Sequence, residues 1–83
     1  MNFFDKIKEK IIKKFDPEYL KLIDNSILHT KHKSFDPKKF HIKIIIKSKK
    51  LQKMSKVAAH KEIFAILKYE MKNKIHALEI EIN

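Results

Sequence analysis

The chain has 83 residues, and its 20 basic side chains, all of them lysines, exceed its 10 acidic ones to give a formal net charge of +10. It has no cysteine and no glycine, which excludes a disulfide framework, a cysteine nucleophile and the glycine-rich loops that bind nucleotides. The length fits a single domain, residues 1–83, and no apolar run approaches the roughly 20 residues of a transmembrane helix.

The first predicted element is an amphipathic helix over residues 3–15. Its apolar residues recur at helical spacing, with lysines between them: Phe4, Ile7, Ile11 and Phe15. Asp5 and Glu9 share the polar side, which favours a helix packed on a protein core over one lying on a membrane. The Asp16-Pro17 pair ends the helix, because proline disfavours helical backbone in the residue before it.

Two strands separated by a long loop are predicted next. Residues 19–25 are short, apolar and bounded by polar residues, and residues 26–39 form a polar, basic loop. Residues 40–48 alternate clearly and are predicted to form a strand. One face carries Ile42, Ile44 and Ile46, and the other carries His41, Lys43, Ile45 and Lys47.

The last third of the chain predicts a helix and a third strand. Residues 49–54 read as a basic connector, after which Ser55 caps a helix that runs to about Asn73. Its predicted apolar stripe is Val57, His60, Phe64, Leu67 and Met71, supported by Ile63. In the strand 75–82, the alternation sets His76, Leu78, Ile80 and Ile82 against Ile75, Ala77, Glu79 and Glu81. The order α-β-β-α-β predicts an α+β fold, with helices packed on a three-stranded mixed sheet.

The positive charge is confined to the middle of the chain. Residues 31–61 contain 11 lysines and one acid, Asp36, whereas the remainder holds nine of each sign. The lysine-rich composition without arginine is typical of an AT-rich genome, and we expect a cytoplasmic, bacterial protein. Such a stretch favours contact with nucleic acid or with an acidic protein partner. The candidate contact residues are Lys49, Lys50, Lys53, Lys56 and Lys61.

Five histidines are the only side chains with obvious site chemistry. His60 lies on the predicted helical stripe and is expected to be partly buried and hydrogen-bonded, while His41 is expected to be exposed on the outer face of its strand. His29 and His32 form a weak metal-ligand pair in the loop, and His76 opens the last strand. No arrangement typical of a catalytic site emerges, so we expect a protein that is not an enzyme and has no small-molecule substrate.

Across nearly its whole length the chain resembles the BolA family. The matching features are Phe15-x-Pro17-x-x-Leu20, Asp24-x-Ser26-x-x-His29, His41-Ile42-Lys43-Ile44 through Ser48, Ala59-His60-Lys61, Glu70-Met71 and Ile75-His76-Ala77-Leu78. The most specific part is the final tetrapeptide together with His60, the family-motif histidine, sixteen residues before His76. The resemblance implies a class II KH-like domain, in agreement with the predicted order of elements.

The resemblance also implies a partner and a shared cofactor. Members of the family pair with monothiol glutaredoxins and share a 2Fe-2S cluster, for which the histidine of the last-strand motif, here His76, is a ligand. The second ligand is expected in the loop between the first two strands, where both His29 and His32 match, with His29 slightly favoured. The resemblance therefore implies no cofactor for the chain alone, and a cluster only when glutaredoxin and glutathione supply the sulfur ligands. The free chain is expected to be a monomer or a weak homodimer.

A DNA-binding role is the alternative that the resemblance implies, since the family has also been treated as transcriptional regulators. Two departures weaken it: the family's Phe-x-Gly turn is Leu51-Gln52-Lys53 here, and its Arg-His-Arg element is Ala59-His60-Lys61. Lysine also lacks the bidentate geometry with which arginine contacts guanine. A third reading is that the lysines dock an acidic protein partner, whether or not a cluster bridges the pair.

Overall fold

The structure, a computed structural model, describes residues 2–26 and 40–83. Its elements are α1 (Phe3–Phe15), β1 (Tyr19–Asp24), β2 (Phe40–Lys47), α2 (Lys49–Gln52), α3 (Lys56–Ile66), α4 (Lys68–Asn73) and β3 (Ile75–Ile82). The three strands form a sheet of order β1-β2-β3, in which β2 is antiparallel to β1 and parallel to β3. This confirms the predicted α+β fold with a mixed three-stranded sheet.

Helix α1 begins and ends where the sequence predicts. The Asn2 side chain accepts a hydrogen bond from the Asp5 backbone N–H at 2.8 Å and so caps the first turn. At the other end, Asp16 adopts a left-handed conformation with φ of 44°, and its N–H bonds to the carbonyl of Ile12. Ile7, Ile11 and Phe15 are buried, so the predicted apolar stripe faces the core.

The hydrophobic core lies between the helices and one face of the sheet. Its buried residues are Ile7, Ile11, Phe15, Ile42, Ile44, Ile46, Leu51, Ala59, Ile63, Leu67 and Ile75. The three isoleucines of β2 all point into this core, as the alternation of that strand predicts. The opposite face of the sheet is not covered by any of the described helices and carries His41, Lys43 and Ile45 from β2.

The second half of the chain departs from its prediction in three places. Residues 49–52 form the short helix α2 instead of an irregular connector, because Leu51 turns into the core. The helix that Ser55 caps, through a hydrogen bond from the Ala58 N–H, is interrupted at Leu67 and continues as α4. The predicted stripe is also out of phase. Ala59 and Ile63 are buried with Leu67, whereas Val57 is 66% exposed and Phe64 is 37% exposed.

The small size of Ala59 explains the wrong phase. Ala59 is 1% exposed, but because alanine is small and weakly hydrophobic it adds little to an apolar pattern. The larger Val57 and Phe64 dominate the pattern although they face away from the core. The helix was therefore predicted correctly as an element and its buried face only in part, since Ile63 and Leu67 are buried but Val57 and Phe64 are exposed.

Candidate functional site

Two histidines meet at the start of β2 and β3 on the open face of the sheet. The rings of His41 and His76 are stacked, with centroids 5.0 Å apart and ring planes inclined by 26°. We call this pair the histidine corner. The two strands are tied together just before it, because the Phe40 N–H donates a hydrogen bond to the Lys74 carbonyl at 2.8 Å.

A β-bulge in β3 brings His76 to this face. Phe40 pairs with Ile75 and His41 pairs with Ala77, so His76 is an extra residue in the parallel β2–β3 ladder. Regular alternation predicted that His76 would share a face with Leu78 and that Ile75 would lie on the other. That prediction is wrong: Ile75 is 2% exposed and joins the core, and His76 is exposed. The bulge exchanges the faces of the sheet on which Ile75 and His76 lie, and the rest of the strand keeps its predicted alternation.

His41 is buried, which corrects the expectation that it would be exposed. Only 8% of the residue remains accessible; β2 is the middle strand, and the ring of His76 stacks on the open side of His41. Its backbone N–H and carbonyl are both held by the residues that follow β1. The His41 N–H donates to Ser26 Oγ at 3.1 Å, and the His41 carbonyl accepts a hydrogen bond from the Asn25 N–H at 2.7 Å. Sequence reasoning missed His41 because alternation assigns a face and does not show what covers it.

Beside the corner lies a groove of about 190 Å³, lined by Asn25, His41, Ile42, Ala77, Leu78 and Glu79. The predicted loop ligands His29 and His32 lie outside the described residues, so their relation to His76 stays a prediction. Within residues 2–26 and 40–83, no group of three or more histidine and carboxylate side chains could hold a metal ion. His76 is therefore one donor presented toward solvent, and it does not form a complete metal site with its described neighbours.

His60 lies elsewhere, on α3. It is half-buried, and its Nδ1–H donates to the carbonyl of Lys56 one turn earlier at 2.7 Å. The partly buried, hydrogen-bonded state expected from the sequence is thus observed. The ring borders a groove between α3 and the second half of β3, together with Glu79 and Glu81, and not the histidine corner.

The five candidate lysines are exposed on α2, α3 and the turn between them. This lysine surface consists of Lys49, Lys50, Lys53, Lys56 and Lys61. Lys49 lies 3.8 Å from a carboxylate oxygen of Glu18, and Lys50 reaches the carbonyl of Lys14 at 3.4 Å. Within the described part of the chain, Lys49 is the only one of the five in an ion pair, and Lys50, Lys53, Lys56 and Lys61 form none. They are solvated charges that a polyanion or an acidic protein could approach without first displacing a carboxylate.

The comparisons with known proteins agree with this fold. The model of the BolA-like protein family matches residues 11–83, and the chain belongs to that family. It is 32% identical over 76 residues to the DNA-binding transcriptional regulator BolA of Haemophilus influenzae, covering 92% of this chain and 71% of that protein. The relatives are named as a regulator and as BolA proteins, not as enzymes.

Two plant domains of known structure are also similar. The BolA domain of SufE1 from Arabidopsis thaliana has a TM-score of 0.83 at 32% identity, covering 100% of this chain and 93% of that domain. BolA1 from Arabidopsis thaliana has a TM-score of 0.84 at 28% identity, and the match covers 99% of this chain and 90% of that protein. Among the described residues, every helix is too short or too polar to cross a lipid bilayer.

Proposed function

We propose that this chain is a non-enzymatic adaptor that pairs with a monothiol glutaredoxin and shares a 2Fe-2S cluster with it, in iron–sulfur assembly, trafficking or iron signalling. The observation that supports this most is the imidazole of His76, which a bulge turns out of the core at the position of the family's ligand. A ligand for a cluster held between two proteins has to reach the surface of its own protein, and His76 does so.

The donor chemistry of the chain fits such a cluster. Imidazole nitrogen replaces thiolate on one iron of some 2Fe-2S centres and raises their reduction potential. The chain has no cysteine, so every organic thiolate has to come from the glutaredoxin cysteine and from glutathione. His76 would supply one nitrogen, and His29 or His32 the second. The cluster supplies the electron-transfer chemistry when it is bound, and the chain's own task is to bind and orient.

The test is to titrate the chain into a cluster-loaded monothiol glutaredoxin under anaerobic conditions and to record absorption and circular dichroism. We expect the visible spectrum to change as nitrogen replaces a sulfur ligand, and His76→Ala to abolish that change. His60→Ala is the matched control, because His60 is bonded on α3 and borders a different groove. Single replacement of His29 and of His32 identifies the second ligand. An unchanged spectrum with the native chain contradicts the proposal.

A second candidate function is DNA binding. It is supported by the name of the relative from Haemophilus influenzae, a DNA-binding transcriptional regulator, and by the lysine surface. Lysines on a helix surface provide point charges for phosphates rather than base-specific contacts. We therefore expect binding that depends on salt far more than on sequence.

Measuring affinity for two duplexes of equal length and different sequence, over a range of salt concentrations, tests this candidate. Steep salt dependence with equal affinities indicates electrostatic attraction alone, and only discrimination between the duplexes supports a regulator. Charge reversal at Lys53 and Lys56 addresses the acidic-partner reading. Slower association with glutaredoxin, with an unchanged cluster spectrum, would assign the lysine surface to protein docking.

A further inference from the structure

We propose that His41 is the positioning residue of the histidine corner, and that its ring, by stacking under His76, holds the outer imidazole ready for a partner's cluster. The proposal rests on the function proposed above, but it concerns the free chain and can be tested there. In this proposal His41 is not itself a ligand of the cluster.

The first argument is the unequal burial of the two rings. His41 is 8% exposed and His76 is exposed, so one ring lies beneath and the other lies on top. An imidazole that joins an iron atom held by another protein has to be the upper one. The lower ring is shielded by the upper ring and by the strands on both sides of β2.

The second argument is that the main chain that carries the lower ring is held in place. The backbone of His41 bonds to Ser26 and to Asn25 on one side, and the neighbouring Phe40 bonds to Lys74 on the other. The ring of Phe40 also packs on Phe3 of α1, with centroids 5.0 Å apart. The backbone of the platform is therefore held by residues on both sides of β2 and by α1.

The third argument is that His76 needs such a platform. An exposed histidine rotates about two side-chain bonds, and ordering it on binding costs conformational entropy. A flat, fixed aromatic surface at stacking distance restricts both rotations before a partner arrives. The bulge sets His76 on the side of the sheet where that surface is available. The ring of His41 would therefore lower the entropic cost of ligation without touching the cluster.

The backbone of His41 is also bonded to a residue close in sequence to the candidate loop ligands. Ser26, whose hydroxyl accepts the His41 N–H, lies three residues before His29 in the sequence. This contact involves the main chain of His41, so replacing its side chain tests the stacking role separately.

The experiment compares His41→Phe, which retains a ring but has no nitrogen, with His41→Leu, which retains apolar volume but has no ring. NMR of the free chain reports the ring-proton shifts and side-chain relaxation of His76. We expect His41→Phe to keep the shielded shifts of a stacked ring, and His41→Leu to lose them and to make the His76 ring more mobile. His60→Leu is the control and should leave the His76 signals unchanged.

Affinity for cluster-loaded glutaredoxin gives the second readout. We expect His41→Leu to weaken it by about fivefold to tenfold, the size of one aromatic stacking interaction, and His41→Phe to remain within about twofold of the native chain. Equal loss in both variants would overturn the proposal, because the nitrogens of His41 would then matter and not the ring. Unchanged His76 signals in a folded His41→Leu variant would also overturn it.

The wild-type chain alone provides a further check if either variant fails to fold. Nuclear Overhauser contacts between the ring protons of His41 and His76 are expected, and their absence would overturn the proposal. If the native chain does not bind the cluster at all, the function proposed above fails. The NMR comparison then still decides whether His41 orders His76.

Discussion

The histidine corner and the lysine surface are constructed in opposite ways. In the corner, a bulge, a buried ring and two backbone hydrogen bonds fix one exposed side chain. On the lysine surface, five side chains project from α2, α3 and the turn between them into solvent, and four of them have no ion-pair partner among the described residues. The histidine corner thus presents one side chain in a defined position, whereas the lysine surface presents positive charge without fixed side-chain positions.

This difference determines how each region should respond to change. A side chain held by packing loses its function when a supporting neighbour is altered, because its position depends on that neighbour. A solvated charge contributes additively, is screened by salt and tolerates replacement of its neighbours. The same contrast between packed side chains and solvated charges should hold in other parts of the molecule.

The largest effect is expected at the ion pair between α1 and α4. Lys10 Nζ lies 2.5 Å from Glu70 Oε2, and the side chain of Glu70 is only 6% exposed. Lys10→Met leaves a buried carboxylate without its cation, and we expect it to lower the free energy of unfolding by about 3 kcal/mol. Urea denaturation monitored by circular dichroism measures this loss.

Lys13→Met is the matched control on the same helix. Lys13 also pairs with a carboxylate, that of Glu9 at 2.8 Å, but its side chain is 75% exposed. We expect that variant to cost less than about 1 kcal/mol. Equal losses in the two variants would show that burial does not separate the two ion pairs, and the contrast drawn above would not extend to them.

A smaller effect is expected at Ser48, which joins the end of α1 to the start of α2 and so supports the lysine surface from below. Its side chain is fully buried and donates to the carbonyl of Phe15 at 2.9 Å. Ser48→Ala removes this donor, and we expect a loss of about 2 kcal/mol in the free energy of unfolding. DNA affinity should not change, because the lysines themselves are retained.

Ser55→Ala provides the comparison, since Ser55 is exposed and only caps α3. We expect it to cost about 1 kcal/mol. A larger loss at Ser55 than at Ser48 would contradict the view that the buried link carries more of the stability. Thermal unfolding of the two variants side by side gives the ranking directly.

On the lysine surface itself, stability should hardly respond. Lys53→Gln combined with Lys56→Gln is expected to reduce the slope of log affinity against log salt for duplex DNA by about 2, because two phosphate contacts are lost. The free energy of unfolding should stay within about 0.5 kcal/mol of wild type. Lys68→Gln with Lys72→Gln on α4 removes the same charge elsewhere. An equal change of slope in that pair would mean that net charge, and not the lysine surface, binds the DNA.

The sequence predicts the helices and strands of this fold better than it predicts the local irregularities, such as the bulge at His76. The strand β2 and the helix α1 follow from simple periodicity, because each buries one regular face. The bulge at His76 has no such signature, since a period of two continues on both sides of the extra residue and hides it. The burial of His41 depends in turn on that bulge, which brings a second ring over it. The stacked pair could therefore not be read from either strand alone.

The candidate site divides in the same way. The position of His76 in a family motif was accessible from sequence, and so was the cluster of lysines, since both are local features. The platform under His76 is a contact between residues 35 positions apart, and it appears only once the strands are paired. Local patterns thus indicate which residue could act as a ligand, and the paired strands show which ring stacks against it.

The smallest effect is a pH dependence at the exposed pair on α1. The ammonium group of Lys13 donates a hydrogen bond to Glu9 and attracts its charge, which lowers the pKa of the Glu9 carboxyl and raises the pKa of Lys13. Because the pKa of Glu9 is lower in the folded chain than in the unfolded one, its contribution is complete above the unfolded-state value. It is lost as the pH falls through the folded-state value. At alkaline pH the contribution of Lys13 is lost as the pH rises through its raised pKa.

We therefore expect Glu9→Gln to be slightly less stable than wild type at neutral pH and equal to it in acid. Urea denaturation over a pH series should show this, and the difference should vanish in about 1 M salt, where screening reaches the spacing of the pair. A difference that persisted in salt would mean that this pair behaves like the Lys10–Glu70 pair, whose carboxylate is buried. Exposure of the carboxylate would then not be what distinguishes the two ion pairs.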